Sequence, residues 1–200
     1  MNKILELACK AHGLLNKTNV ADFLAPLALR LYLVPVFWVA GMNKLNSFED
    51  TAAWFGNPEW GLGLPMPEVM LFLAMASELG GAVLLFFGVA VRWISIPLMF
   101  TMFIAATKVH WHNGWQAVHD LMSPWASANA EAAFERLDRA KSILEEHGNY
   151  DWLTEHGSFL VSNNGVEWAV TYFVMLLALF FIGGGRWVSA DYWLCKLVKK

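Results

Sequence analysis

VMLFLAMASELGGAVLLFFGVAV, residues 69–91, is an apolar run broken by a single charge, Glu78. As a helix rising 1.5 Å per residue it covers ~34 Å, enough to cross the ~30 Å of hydrocarbon in a bilayer. Working outward, three more stretches pass the same test, so spans are expected at about 23–45, 67–91, 93–111 and 166–185. The third is the weakest, because Arg92 and Lys108 bracket only 15 uncharged residues and Lys108 must snorkel outward. Composition agrees: the 200 residues are 57% hydrophobic and 16% charged, with mean hydropathy +0.42, where soluble domains hold roughly 45–50% apolar and 25% charged residues. The expected fold is all-α, a four-transmembrane-helix bundle forming one integral membrane domain over residues 1–200.

Charge and cysteine content exclude several classes. The net charge is −3 and the 14 basic residues form no block, so no nucleic-acid footprint is present. Cys9 and Cys195 lie too far apart in sequence for a CxxC pair, and two cysteines make no disulfide framework. The N-terminal segment has Lys10, His12 and Lys17 where a signal peptide needs an apolar core, so it is expected to stay on the protein. Its leucines at 5, 7, 14 and 15 suit a short helix lying on the membrane surface.

Lysine and arginine placement sets the expected orientation. Lys3, Lys10 and Lys17, then Arg92, then Arg186, Lys196, Lys199 and Lys200 fall on one side, which the positive-inside rule makes cytoplasmic. Both termini are therefore expected inside, with loops 46–66 and 112–165 outside. Tryptophans 54, 60, 111, 115, 125, 152 and 168 would line the outer interface, and Trp93, Trp187 and Trp193 the inner. In the long loop between spans three and four, Ser123-Pro124 reads as a helix start. Phe134, Leu137 and Leu144 recur at helical spacing up to Gly148, so one amphipathic helix is expected there. The segment after it, with interfacial aromatics and an Asn-Gly turn, reads as a lid leading into span four.

Charges inside the membrane need partners. Arg30 and Glu78 fall within several ångströms of one expected depth, which suits a structural ion pair or a proton-handling carboxylate at a ligand cavity. Arg30 and Lys44 share a face of the first span, so a polar seam of Arg30, Lys44 and Glu78 is expected. Beside Glu78 a stripe of small residues, Ala74, Ser77, Gly81 and Gly88, suits close helix packing or room for a ligand. At the outer surface Lys108, His110 and Glu167 should converge with Lys44. His110, His112 and His119, in KVHWHNGWQAVHD, are candidate metal ligands, since imidazole and carboxylate suit copper, zinc or iron. The alternative is a histidine satisfied by headgroups or by Glu167, and the two lysines would repel a cation.

These residues together resemble the DoxX family of small four-helix membrane proteins. The resemblance rests on Arg30 with GMNKL (41–45), the GLGLPMP linker, SELGGAVLLFFGVAVR, the outer histidine, and VEWAVTYFVMLLALFFIGGGRWVSADYW, and it covers about residues 23–194. WFGNPEWGLGLPMP and HGNYDWLTEHGSF further resemble the DoxX branch encoded with maturation genes for copper-binding modified peptides. The resemblance implies a bacterial inner (cytoplasmic) membrane location. It implies an accessory role in maturation or handling of a copper-binding modified peptide; the alternatives are a membrane subunit of a quinone-linked oxidoreductase and a non-catalytic membrane anchor for a partner. Modified peptide or maturation proteins are the implied partners besides the lipid bilayer. No CxxCH or GxGxxG occurs, so electron transfer would need a partner's cofactor.

Overall fold

The computed structural model describes residues 2–198, without the side chains of residues 2–4, 8, 11, 14, 15 and 17. The expectations resting on Lys3, Leu14, Leu15, Lys17, Lys199 and Lys200 therefore lie outside the described residues. Among the described residues the chain is helical, with one isolated β-bridge, Val118 to Ser162, and no strand. It divides into two compact units, residues 1–100 with 174–200, and residues 101–173.

The first unit holds α1 (Asn2–Asn16), α2 (Leu24–Asn46), α3 (Phe48–Gly56), α4 (Pro67–Phe87) and most of α5 (Val91–Ile104). The end of α8 (Glu167–Ile182) and all of α9 (Ala190–Val198) complete it. α4 begins with Pro67, whose missing N–H costs nothing at a helix start, and carries Glu68 against the positive end of the dipole. It stops at Gly88, left-handed at φ 67°, whose N–H bonds back to Leu84 and Leu85. Residue 91, expected to close span two, instead opens α5. α2 stops where the Ser47 N–H and hydroxyl both bond the Asn43 carbonyl, at 3.1 and 2.8 Å.

The stretch 46–66, expected as a plain outer loop, folds into α3, whose Ala52 and Phe55 bury against Leu71 of α4. Apolar residues four apart in FEDTAAWF give this short helix one buried face. The linker returns beside it. Asn57 Oδ1 accepts the N–H groups of Glu59 and Trp60, and Gly61 lies so close to the Trp54 carbonyl that a Cβ would collide with it.

Among the described residues three helical segments are long and apolar enough to cross a membrane: Thr18–Asn46, Pro67–Phe87 and Val91–Asn113. The fourth apolar helix, Glu167–Ile182, has 16 residues, a rise of ~24 Å that falls short of a full crossing by itself. Phe72, Phe86, Phe100 and Phe103 are each more than half exposed. Apolar surface of that extent belongs against lipid rather than water.

The second unit starts with the end of α5, which loosens into a π-helical turn at Ala105–His110 and a 3₁₀ turn at Trp111–Asn113. It also holds α6 (Ala130–His147), α7 (Tyr150–Thr154) and the start of α8. α6 starts later than Ser123-Pro124 suggests. Ser123 makes only a local turn with Trp125 and Ala126, and the Ser127 N–H is taken by the buried Gln116 side chain before a helix forms. Ala130, Ala133 and Leu137 are its buried residues, and it ends where Gly148 bonds Leu144. Residues 114–119 pair with 161–167 through six backbone bonds of 2.9–3.3 Å, donated by His119, Asn163, Asn164, Gly165, Val166 and Glu167. That pairing fixes the entry into α8.

Candidate functional site

The site is built where α2 meets α4. Gly41 faces Leu79 so closely that a Cβ there would lie 2.6 Å from the Leu79 side chain. This close approach brings Lys44, one turn after Gly41, onto Glu78. The Lys44 Nζ donates to both carboxylate oxygens, at 2.9 and 2.8 Å. Glu78 is 1% exposed and Lys44 23%, so the acid is buried and the ammonium closes the opening above it. A charge pair sealed from water and held by two charge-assisted bonds is strong only as a pair, since either partner alone carries a large desolvation cost.

The expected pairing of Arg30 with Glu78 is overturned. Arg30 donates to the Leu85 carbonyl at 3.1 Å and to the Val188 carbonyl at 2.8 Å, and is fully buried. The expected depths took each span alone, counted from opposite membrane faces, and left out α3. With α3 packed on the first turns of α4, the end of α2 lies level with the middle of α4. Arg30, eleven residues before Gly41, then reaches Gly88, nine after Leu79, where its guanidinium would clash with any Cβ. Of the expected seam, Lys44 and Glu78 are brought together and Arg30 is placed elsewhere.

Around Arg30 lie residues the sequence reading missed. Asp191 takes the Ala90 and Val91 N–H groups on its two oxygens, at 2.7 and 3.0 Å, capping α5 from a distant part of the chain. Ser189 caps α9 through the Tyr192 N–H. Ser-Ala-Asp after the glycines was the available signal, an N-cap followed by an acid in the first turn. Among the small residues, Gly81 faces Leu98 so closely that a Cβ there would lie 2.9 Å from the Leu98 side chain, which is a packing role for that position.

In the second unit Lys108 and His110 sit on the π turn. His110 Nδ1 lies 2.9 Å from the Asn164 carbonyl, which Asn113 Nδ2 also reaches. Glu167 accepts the Ala117 N–H at 2.9 Å, so it is bound to backbone and not to His110. His119 Nδ1 is 3.2 Å from the Ser127 hydroxyl, and His112 is exposed. Among the described residues no three His, Cys, Asp or Glu side chains gather as metal ligands. The donor set of His110, His112 and His119 does not fit a copper site.

Fold and site together define an α-helical, multi-pass membrane protein with an ion pair buried between two long helices. Residues 25–111, the segment that contains Arg30, the Lys44–Glu78 pair and His110, match the DoxX family model. The chain is similar to "Inner membrane protein YphA" of Escherichia coli, 26% identical over 54% of this chain and 76% of the relative. It is also similar to "Putative oxidoreductase CatD" of Bacillus subtilis, 31% identical over 46% of this chain and 63% of that protein, less than two thirds of its length. No solved structure matches the chain.

Proposed function

We propose that this chain is the membrane subunit of a quinone-linked oxidoreductase, with electrons supplied by a partner protein. The observation that carries the reading is the buried Glu78 carboxylate held on both oxygens by Lys44. Such a pair can keep an ammonium charged inside an apolar bundle, ready to donate to a carbonyl oxygen. A quinone supplies a lipid-soluble acceptor of two electrons and two protons; Lys44, partly exposed, is the donor that meets its oxygen, and Glu78 holds the ammonium in place. The oxidoreductase name of the Bacillus relative supports the class.

In this reading residues 1–200 act as one integral membrane domain. Glu167–Ile182, extended by the glycines after it, crosses as a fourth span, and both termini face the cytoplasm. Lys108, His110 and Glu167 organise the outer end, and Arg30 ties the inner end. Copper-peptide maturation has the WFGNPEWGLGLPMP and HGNYDWLTEHGSF resemblance behind it, and a partner peptide would have to complete the ligand set.

The test is purification in native lipid, followed by lipid extraction with quinone and metal quantification. Wild type is expected to retain quinone above the level in the surrounding lipid, and Lys44→Met to retain at least tenfold less. Background quinone in both proteins overturns the oxidoreductase reading. Copper retained by wild type and lost from a His110→Ala, His112→Ala variant replaces it with the peptide-maturation reading.

A further inference from the structure

The second unit contains a cavity of about 390 Å³. Trp115, Trp125 and Trp168 line it together with Asp120 and Glu167, and no lysine, arginine or histidine is among its lining residues. The three indoles are 42%, 66% and 51% exposed, so each keeps ring surface available to a ligand.

The walls are held in place. Gln116, 4% exposed, donates to the Asp120 carbonyl at 2.9 Å and accepts the Ser127 N–H at 3.3 Å, pinning the loop around the cavity. Asp120 Oδ1 accepts the Met122 N–H and Glu167 Oε2 accepts the Ala117 N–H, both at 2.9 Å. Each carboxylate therefore has one oxygen fixed by backbone and a second oxygen for a ligand. Trp168 stacks on Tyr172 with ring centroids 6.1 Å apart, which sets its plane.

Indole faces are electron-rich and attract cations without demanding hydrogen bonds. Tryptophans that only anchor a protein at the headgroup level have no need of two carboxylates in a shared concavity. A phosphate would be repelled by Asp120 and Glu167, and an uncharged apolar group would leave them desolvated. A methylated ammonium meets all five side chains favourably: it has no N–H groups to satisfy, its methyl groups pack on indole, and its charge is balanced by carboxylate. We propose that this cavity binds a quaternary ammonium group, as carried by choline or by a phosphatidylcholine headgroup.

The test uses the full chain in maltoside detergent, with radiolabelled choline in equilibrium dialysis. Choline is expected to bind, tetramethylammonium to compete, and the uncharged isostere 3,3-dimethylbutan-1-ol to bind at least about tenfold more weakly. Trp125→Ala and Trp168→Ala are expected to weaken choline by about fivefold or more, and Trp125→Phe by less. Trp125 lies outside the helices and is largely exposed, so its variants should keep the wild-type melting temperature. Nanodiscs separate the two sources of ligand: equal choline binding in phosphatidylglycerol and phosphatidylcholine discs marks a soluble cation, and exclusion only from phosphatidylcholine discs marks the lipid headgroup. Failure of choline to bind in detergent and in phosphatidylglycerol discs overturns the proposal. Equal binding of the uncharged isostere, unchanged affinity in both tryptophan-to-alanine variants, or tighter binding of Nα-acetyl-lysine amide than of choline also overturns it.

Discussion

Glu78 and Glu167 are both acids on strongly apolar helices, and they are satisfied in opposite ways. Glu78 lies in the middle of α4 and meets a charge, with Lys44 on both oxygens and 1% of its surface exposed. Glu167 opens α8 and meets backbone, with one oxygen on the Ala117 N–H and the side chain only partly buried. A carboxylate in mid-helix finds every nearby backbone N–H already used, so it must recruit a side chain from another helix. One at a helix start stands beside free N–H groups and a loop, and backbone suffices.

The sharpest way to break the contrast is to remove one half of the buried pair. Glu78→Leu leaves the Lys44 ammonium without its partner and should cost about 3–5 kcal/mol. Lys44→Met with Glu78→Leu should recover most of that loss, because two apolar side chains fill the space without charge. Thermal unfolding of the purified proteins in one detergent measures both. If the double variant is no more stable than Glu78→Leu alone, the two residues are not energetically coupled.

A smaller loss is expected at the other buried charge of α2. Arg30 holds two carbonyls, those of Leu85 and Val188. Charge-assisted bonds of this kind contribute roughly 1.5–3 kcal/mol each, part of which is offset in Arg30→Met by ending the burial of a guanidinium. About 2–3 kcal/mol should be lost, and Glu78→Gln in the same protein should add to it without coupling, since the residues do not touch. Strong coupling between Arg30 and Glu78 would restore the pairing that their expected depths suggested.

That mistaken pairing shows what was legible. Apolar run length gave the long helices because a bilayer imposes one length scale, and the polar seam was readable because charges in such runs are rare. Three of the expected features depended on register instead. α3 was hidden because nine residues with one apolar face look like a loop between two long hydrophobic runs. Once it packs on α4 through Ala52, Phe55 and Leu71, it moves the end of α2 by several turns relative to α4, and Arg30 changes partner. The start of α6 moved because Gln116, a residue without any local signal, takes the Ser127 N–H. The histidines were visible as a cluster in sequence, yet among the described residues they gather with no third ligand, and carbonyl and hydroxyl groups engage His110 and His119.

The smallest effect is expected at Glu167, where the contrast can be sharpened. Its bond to the Ala117 N–H joins the start of α8 to the paired segment 114–119, which is already held by six backbone bonds. Glu167→Gln keeps an acceptor oxygen for that N–H and removes only the charge, so it should cost about 0.5 kcal/mol or less. Glu167→Ala removes the acceptor and should cost about 1 kcal/mol, the ordinary net value of one hydrogen bond. Amide hydrogen exchange reads this directly: the Ala117 N–H should exchange faster in Glu167→Ala than in Glu167→Gln, while amides in the middle of α4 keep wild-type protection. If Gln is as damaging as Ala, the charge itself is the stabilising element at Glu167, and the two acids are satisfied by the same means after all.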